Sequence, residues 1–355
     1  MKEKKNVLMV GSALNVKGGM TTVVEGFINN KFKKFNLYYI PTHIEASKFK
    51  QMVLFTCSFI KIIYYFLLKN ISIIHMHFSE RGSFTRKYCL FKLAKVFKKK
   101  IVIHMHGAEF KEFYSESNNT KKGKILKFLI GADRVIVLGN SWDGFVRSLD
   151  KRIKTEVMPN FVKCVDKTVR FNTKEVNILF LAVLIKRKGI FDLVEAIKLL
   201  LKDINGYKIK VIIAGTGREE NNIKEKIKEL GIEASFDFKG WVQNNKKQKI
   251  LENSQIFVLP SYNEGLPVSI LEAMSYGLPI ISTNVGSIED AVIDNYNGTI
   301  IKPGDINALK EEMKTLIENK NKWNMYSKNS KDIVYKKYNQ ENYFNTIENL
   351  YKSII

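Results

Sequence analysis

The chain has 355 residues, 45% of them hydrophobic and 26% charged, a composition that excludes wholesale disorder and, at roughly 100–200 residues per domain, points to two folded domains. Lys and Arg total 58 against 35 Asp and Glu, a formal net charge of +23, so an anionic membrane surface or another polyanion is the expected partner. The cations are spread along the chain without an arginine-rich arm or stacking aromatics, which argues against nucleic acid, and three scattered cysteines, Cys57, Cys89 and Cys164, exclude a disulfide framework and suit a reducing compartment.

Residues 1–5 are basic but lead at once into a short Val-Leu-Met-Val run, too brief for a signal-peptide core, so a cytoplasmic location is expected, either free or peripheral on the inner face of the plasma membrane. Short apolar runs at 7–10, 37–40, 71–75, 101–104 and 134–138 predict buried strands. Helical segments at 21–30, 49–69, 85–98 and 121–130 fill the gaps, the alternation of a parallel doubly wound sheet. The stretch 52–68 is almost wholly apolar but short for a membrane span, with Lys61 near its middle. A core helix is the favoured reading there, ahead of a monotopic helix flanked by Lys48, Lys50 and Lys69.

Residues 163–175 are polar and read as a linker. The alternation then restarts, with strands predicted at 177–182, 208–214, 235–238, 256–259, 279–282 and 299–301, and a tail of two or three amphipathic helices follows residue 305. The fold class expected is α/β, two Rossmann-like doubly wound domains facing across a cleft. The first spans 1–165, completed by a C-terminal helix at 338–355, and the second spans 166–337.

One segment carries the most chemistry: Pro260-Ser-Tyr-Asn-Glu-Gly-Leu-Pro-Val-Ser-Ile-Leu-Glu-Ala-Met-Ser-Tyr-Gly-Leu-Pro. It follows a buried strand and opens a helix near Pro267, and the unpaired N–H groups of a helix start hold anions, so Gly265, Leu266, Pro267 and Val268 form a candidate diphosphate cradle. Glu264 precedes that helix and Glu272 lies on it, where a carboxylate can accept bonds from paired hydroxyls. On their own, two glutamates beside a helix start are more simply a solvated acidic turn. Lys186, Arg187 and Lys188 form a basic turn before another helix. Gly18 and Gly19 sit between a strand and a helix, where backbone can approach phosphate, and His106 follows the strand at 101–104, where parallel sheets place ligands. Gly215-Thr216-Gly217 is too common a pattern to decide anything. No Asp-x-Asp pair occurs, so charge on a bound diphosphate would be met by lysine and helix amides, with no metal.

The Glu264-to-Glu272 spacing resembles the Glu-x7-Glu motif of glycosyltransferase family 4, of GT-B fold, and the similarity continues through residues 279–290, Asn297-Gly298 and Pro303-Gly304-Asp305. Residues 180–189 are similar to the family's strand that is followed by Lys-Gly, which matches Lys188 to the diphosphate-binding lysine. Ala182 and Val183 stand where Gly and Arg are usual, so one expected cation is missing and Arg187 is the candidate to replace it. The resemblance implies that Glu264 and His106 contact the donor sugar, Glu272 the ribose, and Lys188 with the helix amides the diphosphate, and that Gly18 and Gly19 lie at the cleft. It implies a retaining, hexosyltransferase-type enzyme that uses a nucleotide-sugar, UDP-sugar favoured, as substrate, with no cofactor and no metal. The expected acceptor is a lipid-linked saccharide in cell-surface polysaccharide synthesis. The alternatives are a sugar-nucleotide epimerase and a non-catalytic sugar-nucleotide-binding protein.

Overall fold

The structure, a computed structural model, describes residues 4–172 and 174–355. Among these, apolar β-branched runs form two six-stranded, all-parallel sheets. The first contains β1 (Lys5–Gly11), β2 (Phe35–Pro41), β3 (Ile71–Phe78), β4 (Lys100–Met105), β5 (Arg134–Val137) and β6 (Thr155–Val157). The second contains β7 (Glu175–Leu181), β8 (Lys208–Ala214), β9 (Phe236–Gly240), β10 (Ile256–Leu259), β11 (Ile280–Thr283) and β12 (Gly298–Ile301). Contacts divide the chain into one unit of Met1–Asn160 with Gln340–Ile355 and another of Phe161–Asn339.

Strand order fixes where each sheet can bind a ligand. The first runs β2-β1-β3-β4-β5-β6 and the second β12-β11-β10-β7-β8-β9. Connections leave in opposite directions from β1 and β3 in the first and from β7 and β10 in the second, which opens a crevice beyond the carboxyl ends of those strands. Helices cover both faces, which is why the central strands are apolar throughout rather than alternating: Val7 to Val10 and Ile256 to Leu259 are fully buried.

The predicted strands all form, with ends shifted by a few residues. Strand β6 was not anticipated, because it has three residues and two of them, Glu156 and Val157, face solvent at the sheet edge. The tail forms three helices, Ile306–Glu318, Lys320–Lys337 and Gln340–Ile354. The last packs onto the first unit, with the Phe344 ring 5.1 Å from Phe27 and the Glu348 carboxylate accepting the Lys33 N–H at 2.5 Å.

The segment expected as a core helix is corrected by the structure. Lys48–Leu68 is a helix of 21 residues, of which only Ser58, Ile62 and Phe66 are buried. Ile62 and Phe66 join the first unit's core beside Ile40 and Ile71. Phe49, Met52, Val53, Ile60, Tyr64 and Leu67 recur at helical spacing on the opposite side and are exposed, Ile60 by 63%. The sequence is apolar on both faces, so its periodicity could not tell the packed side from the open one.

Candidate active site

In the second unit, the loops after β7 and β10 meet at the sheet's switch point. The β7 loop is brought in by a turn at Lys186–Lys188 that ends on Gly189 at φ 71°, a left-handed conformation suited to glycine. A Cβ there would collide with the Pro260 carbonyl oxygen at the end of β10, so the two loops lie against each other only because residue 189 has no side chain. The Tyr262 N–H donates to the Arg187 carbonyl at 2.8 Å, and the Arg187 guanidinium donates to the Asn263 carbonyl at 2.9 Å.

This contact sets Lys188 Nζ 2.5 Å from Glu264 Oε1, with both side chains largely withdrawn from water. Ser261 Oγ donates to the same carboxylate oxygen at 2.7 Å. Thr283 on β11 in turn donates to the Ser261 carbonyl at 2.5 Å, and Ser287 N–H donates to the Gly265 carbonyl at 2.8 Å. Charges this buried are stable only when paired and hydrogen-bonded, which the Lys188–Glu264 contact and the Ser261 hydroxyl provide.

Next to this pair the chain turns into the helix Val268–Ser275 at Pro267, and no side chain caps that end. The first-turn N–H groups therefore keep their pull on an anion. Gly265, Leu266, Pro267 and Val268 are all buried. One turn along, Glu272 is half-buried rather than solvated: its Oε1 lies 2.5 Å from Lys247 Nζ, on the helix Asn244–Glu252. Lys247 is the candidate-site neighbour that the sequence does not reveal, since it is one of several lysines in a polar segment and only the fold brings it to Glu272.

The Gly215-Thr216-Gly217 loop closes on the Val183 region. The Leu184 N–H donates to the Thr216 carbonyl at 3.0 Å, and a Cβ on Gly217 would strike the Leu184 backbone. Val183 lies in this stretch, with no cation in its place.

In the first unit, Gly18 is the residue before the helix Gly19–Asn29, at φ 147°, and Gly19 is the helix's first residue rather than part of the loop. His106 follows β4 and is half-buried. Its Nε2 lies 2.8 Å from His77 Nδ1, while His75 Nε2 lies 3.3 Å from His104 Nδ1 and His75 Nδ1 2.6 Å from the Tyr351 hydroxyl. The Phe27 ring lies over this group, 5.2 Å from His75 and 5.5 Å from His77. Burial pushes all four imidazoles down, His75 and His106 to about 3, so they are neutral over the physiological range. Nitrogens of His75, His77 and His104 lie within 4.8 Å of one another, a spacing a metal ion could draw together, but most of these nitrogens already serve the internal hydrogen bonds.

Comparison with known proteins bears on the family and the fold. Residues 165–333 match the family described as Glycosyl transferases group 1. The chain is 24% identical to an uncharacterized 41.2 kDa protein in the cps region of Klebsiella pneumoniae, over 96% of this chain and 98% of that one. It is 27% identical to an uncharacterized glycosyltransferase of Methanocaldococcus jannaschii, over 68% of this chain and 66% of that one. It is 25% identical to the capsular polysaccharide biosynthesis glycosyltransferase CapM of Staphylococcus aureus, over 48% and 44%. In fold it is similar to the sucrose-phosphate synthase of Thermosynechococcus elongatus, at a TM-score of 0.81 and 17% identity over 99% of both chains. It is also similar to HepE of Anabaena in complex with UDP and glucose, at a TM-score of 0.74 and 14% identity over 98% and 100%.

Proposed function

With this chain a glycosyltransferase of GT-B fold and its residues 165–333 belonging to the glycosyl transferases of group 1, we propose that it moves a hexose, with retention, from a UDP-sugar to a hydroxyl of a lipid-linked saccharide in cell-surface polysaccharide synthesis. The observation that carries this reading is the Lys188–Glu264 pair at the switch point, beside a helix end with no side-chain cap. When the donor enters, Lys188 leaves Glu264 for the diphosphate and the amides of Gly265 to Val268 meet the other oxygens, which stabilises charge developing on the leaving group. Glu264, freed, accepts from the sugar hydroxyls, and Glu272 accepts from the ribose. Arg187 adds the second positive charge in place of the residue at Val183, and Gly18, Gly19 and His106 are assigned to the donor. The bond from the anomeric carbon to the diphosphate oxygen breaks and a bond to the acceptor oxygen forms on the same face. The acceptor's proton passes to the departing diphosphate, whose negative charge is met by Lys188 and the helix amides in place of a metal.

The acceptor's lipid carrier is supported by the exposed apolar stripe of Lys48–Leu68 with Lys48, Lys50, Lys61 and Lys69 around it, which suits a helix lying in an anionic cytoplasmic membrane surface. Since its other face packs on the first unit's core, the helix lies on the membrane rather than crossing it. The relative CapM, named for capsular polysaccharide biosynthesis, supports the same process.

Purified protein incubated with UDP-, GDP- and ADP-sugars and membrane lipid extract tests the proposal by nucleotide release. Turnover with one sugar nucleotide, lost on Glu272→Ala, is the expected result. No release with any of them, or a variant equal to wild type, overturns it.

A further inference from the structure

The first unit has a switch point of its own, between β1 and β3, and a cavity of about 280 Å³ lies there. Its wall brings together four basic side chains from three places in the sequence: His43 after β2, His77 on β3, and Arg86 and Lys87 on the helix Gly82–Val96. Glu80 is the single acidic residue lining it. Lys87 is 2% exposed, and its ammonium donates to Thr42 Oγ1 at 2.6 Å. Arg86 Nε and His43 Nδ1 are buried with no hydrogen-bond partner among the described residues. Gly82 and Ser83, the first turn of the same helix, also line the cavity, and that turn contains no acidic residue, so the positive end of the helix faces the same space.

Because a buried charge with one neutral partner is costly, natural chains keep it only where something pairs with it. We propose that this cavity binds a phosphate-type oxyanion of the acceptor, with Lys87 and Arg86 as its charged contacts and His43 as a further donor. The proposal rests on the acceptor reading given above and names the site that takes its anionic part.

Three observations support the assignment. Burial, with Arg86 next, pushes the Lys87 ammonium down to about 7, while burial, Arg86 and Lys87 lower His43, as expected where several basic groups share one buried space. The volume is right: at ~30 Å³ per water, the cavity has room for several waters or for one or two phosphate groups. The position is right as well, since Gln51 of the helix Lys48–Leu68 also lines the cavity, so the site opens beside the helix whose apolar stripe faces outward. A lipid diphosphate has its charge and its chain joined in this same order.

The test is calorimetric titration of the full chain with inorganic diphosphate at pH 6, where Lys87 is charged. Wild type is expected to bind. Lys87→Met and Arg86→Gln are each expected to weaken binding at least tenfold without lowering the melting temperature, and the double variant His43→Gln, Arg86→Gln serves if Lys87→Met fails to fold. Absence of binding by wild type, or equal affinity in folded variants, overturns the proposal. A short-chain polyprenyl diphosphate in detergent micelles then distinguishes the source: competition with inorganic diphosphate assigns the site to a lipid carrier, and its failure assigns the site to a free oxyanion. Wild-type turnover of a sugar nucleotide with no diphosphate site sinks this inference alone, whereas a Lys87-dependent site in a protein that turns over no sugar nucleotide sinks the transferase reading alone.

Discussion

Acidification is expected to unfold this protein through three buried histidines, His75, His77 and His104, and the half-buried His106. In the unfolded chain each takes up a proton near pH 6.5, whereas burial holds His75 and His106 at about 3 in the fold and lowers His77 and His104 as well. Between those values the unfolded state binds more protons, so stability is full above pH 6.5 and is lost as pH falls toward 3. From pH 7 to pH 5 each histidine with a folded value near 3 costs about 2 kcal/mol, so His75 and His106 together remove about 4 kcal/mol. The other two act in the same direction. Against a typical total of about 5–15 kcal/mol, that is enough to bring the first unit close to its limit at pH 5. Urea unfolding followed by circular dichroism at several pH values measures the slope, and His75→Phe should reduce proton uptake on unfolding by about one. Its baseline stability also falls, since the Tyr351 hydroxyl loses its partner, but the slope reports the titration separately. Equal stability at pH 7 and pH 5, or an unchanged slope in His75→Phe, would refute the reasoning.

The remaining predictions concern single contacts. Lys188→Met and Glu264→Gln should each cut transfer roughly 10²–10³-fold, and the double variant should be more stable than Lys188→Met alone, because removing one partner leaves a buried charge behind; thermal melts and initial rates read both. Gly189→Ala should destabilise by more than about 1 kcal/mol in chemical denaturation, since residue 189 sits at φ 71° with the Pro260 carbonyl in the way. Replacing Ile60 and Leu67 by Glu should abolish sedimentation with phosphatidylglycerol vesicles while shifting folding stability by no more than about 1 kcal/mol for the two, as both side chains are more than half exposed. Stability of wild type should rise with pH between 7 and 10, at up to about 1.4 kcal/mol per pH unit, as the unfolded chain keeps the proton that the folded Lys87 gives up; Lys87→Met should flatten that rise.

Much of the fold was legible because parallel strands buried on both faces leave unbroken apolar runs, and 208–214 and 256–259 were placed without error at either end. What could not be read was whatever depends on strands distant in sequence lying side by side. Lys188 and Glu264 are 76 positions apart, and their 2.5 Å contact follows only from β7 and β10 being neighbours. His77 against His106 is hidden for the same reason, and Lys247 against Glu272 because two helices, Asn244–Glu252 and Val268–Ser275, must first be packed by the sheet. The helix Lys48–Leu68 shows a different limit: hydrophobicity tells that a face avoids water, and only packing tells whether protein or something else covers it. Lys87 reads as one more lysine on a basic helix until the fold withdraws it from solvent.

The most direct test of the account is the affinity of nucleoside diphosphates for wild type and for Lys188→Met. Calorimetric titration with UDP, GDP and ADP should show binding of at least one, UDP first among them, weakened tenfold or more by the substitution. Binding of none, or the same affinity in the folded variant, would contradict a donor site built on Lys188.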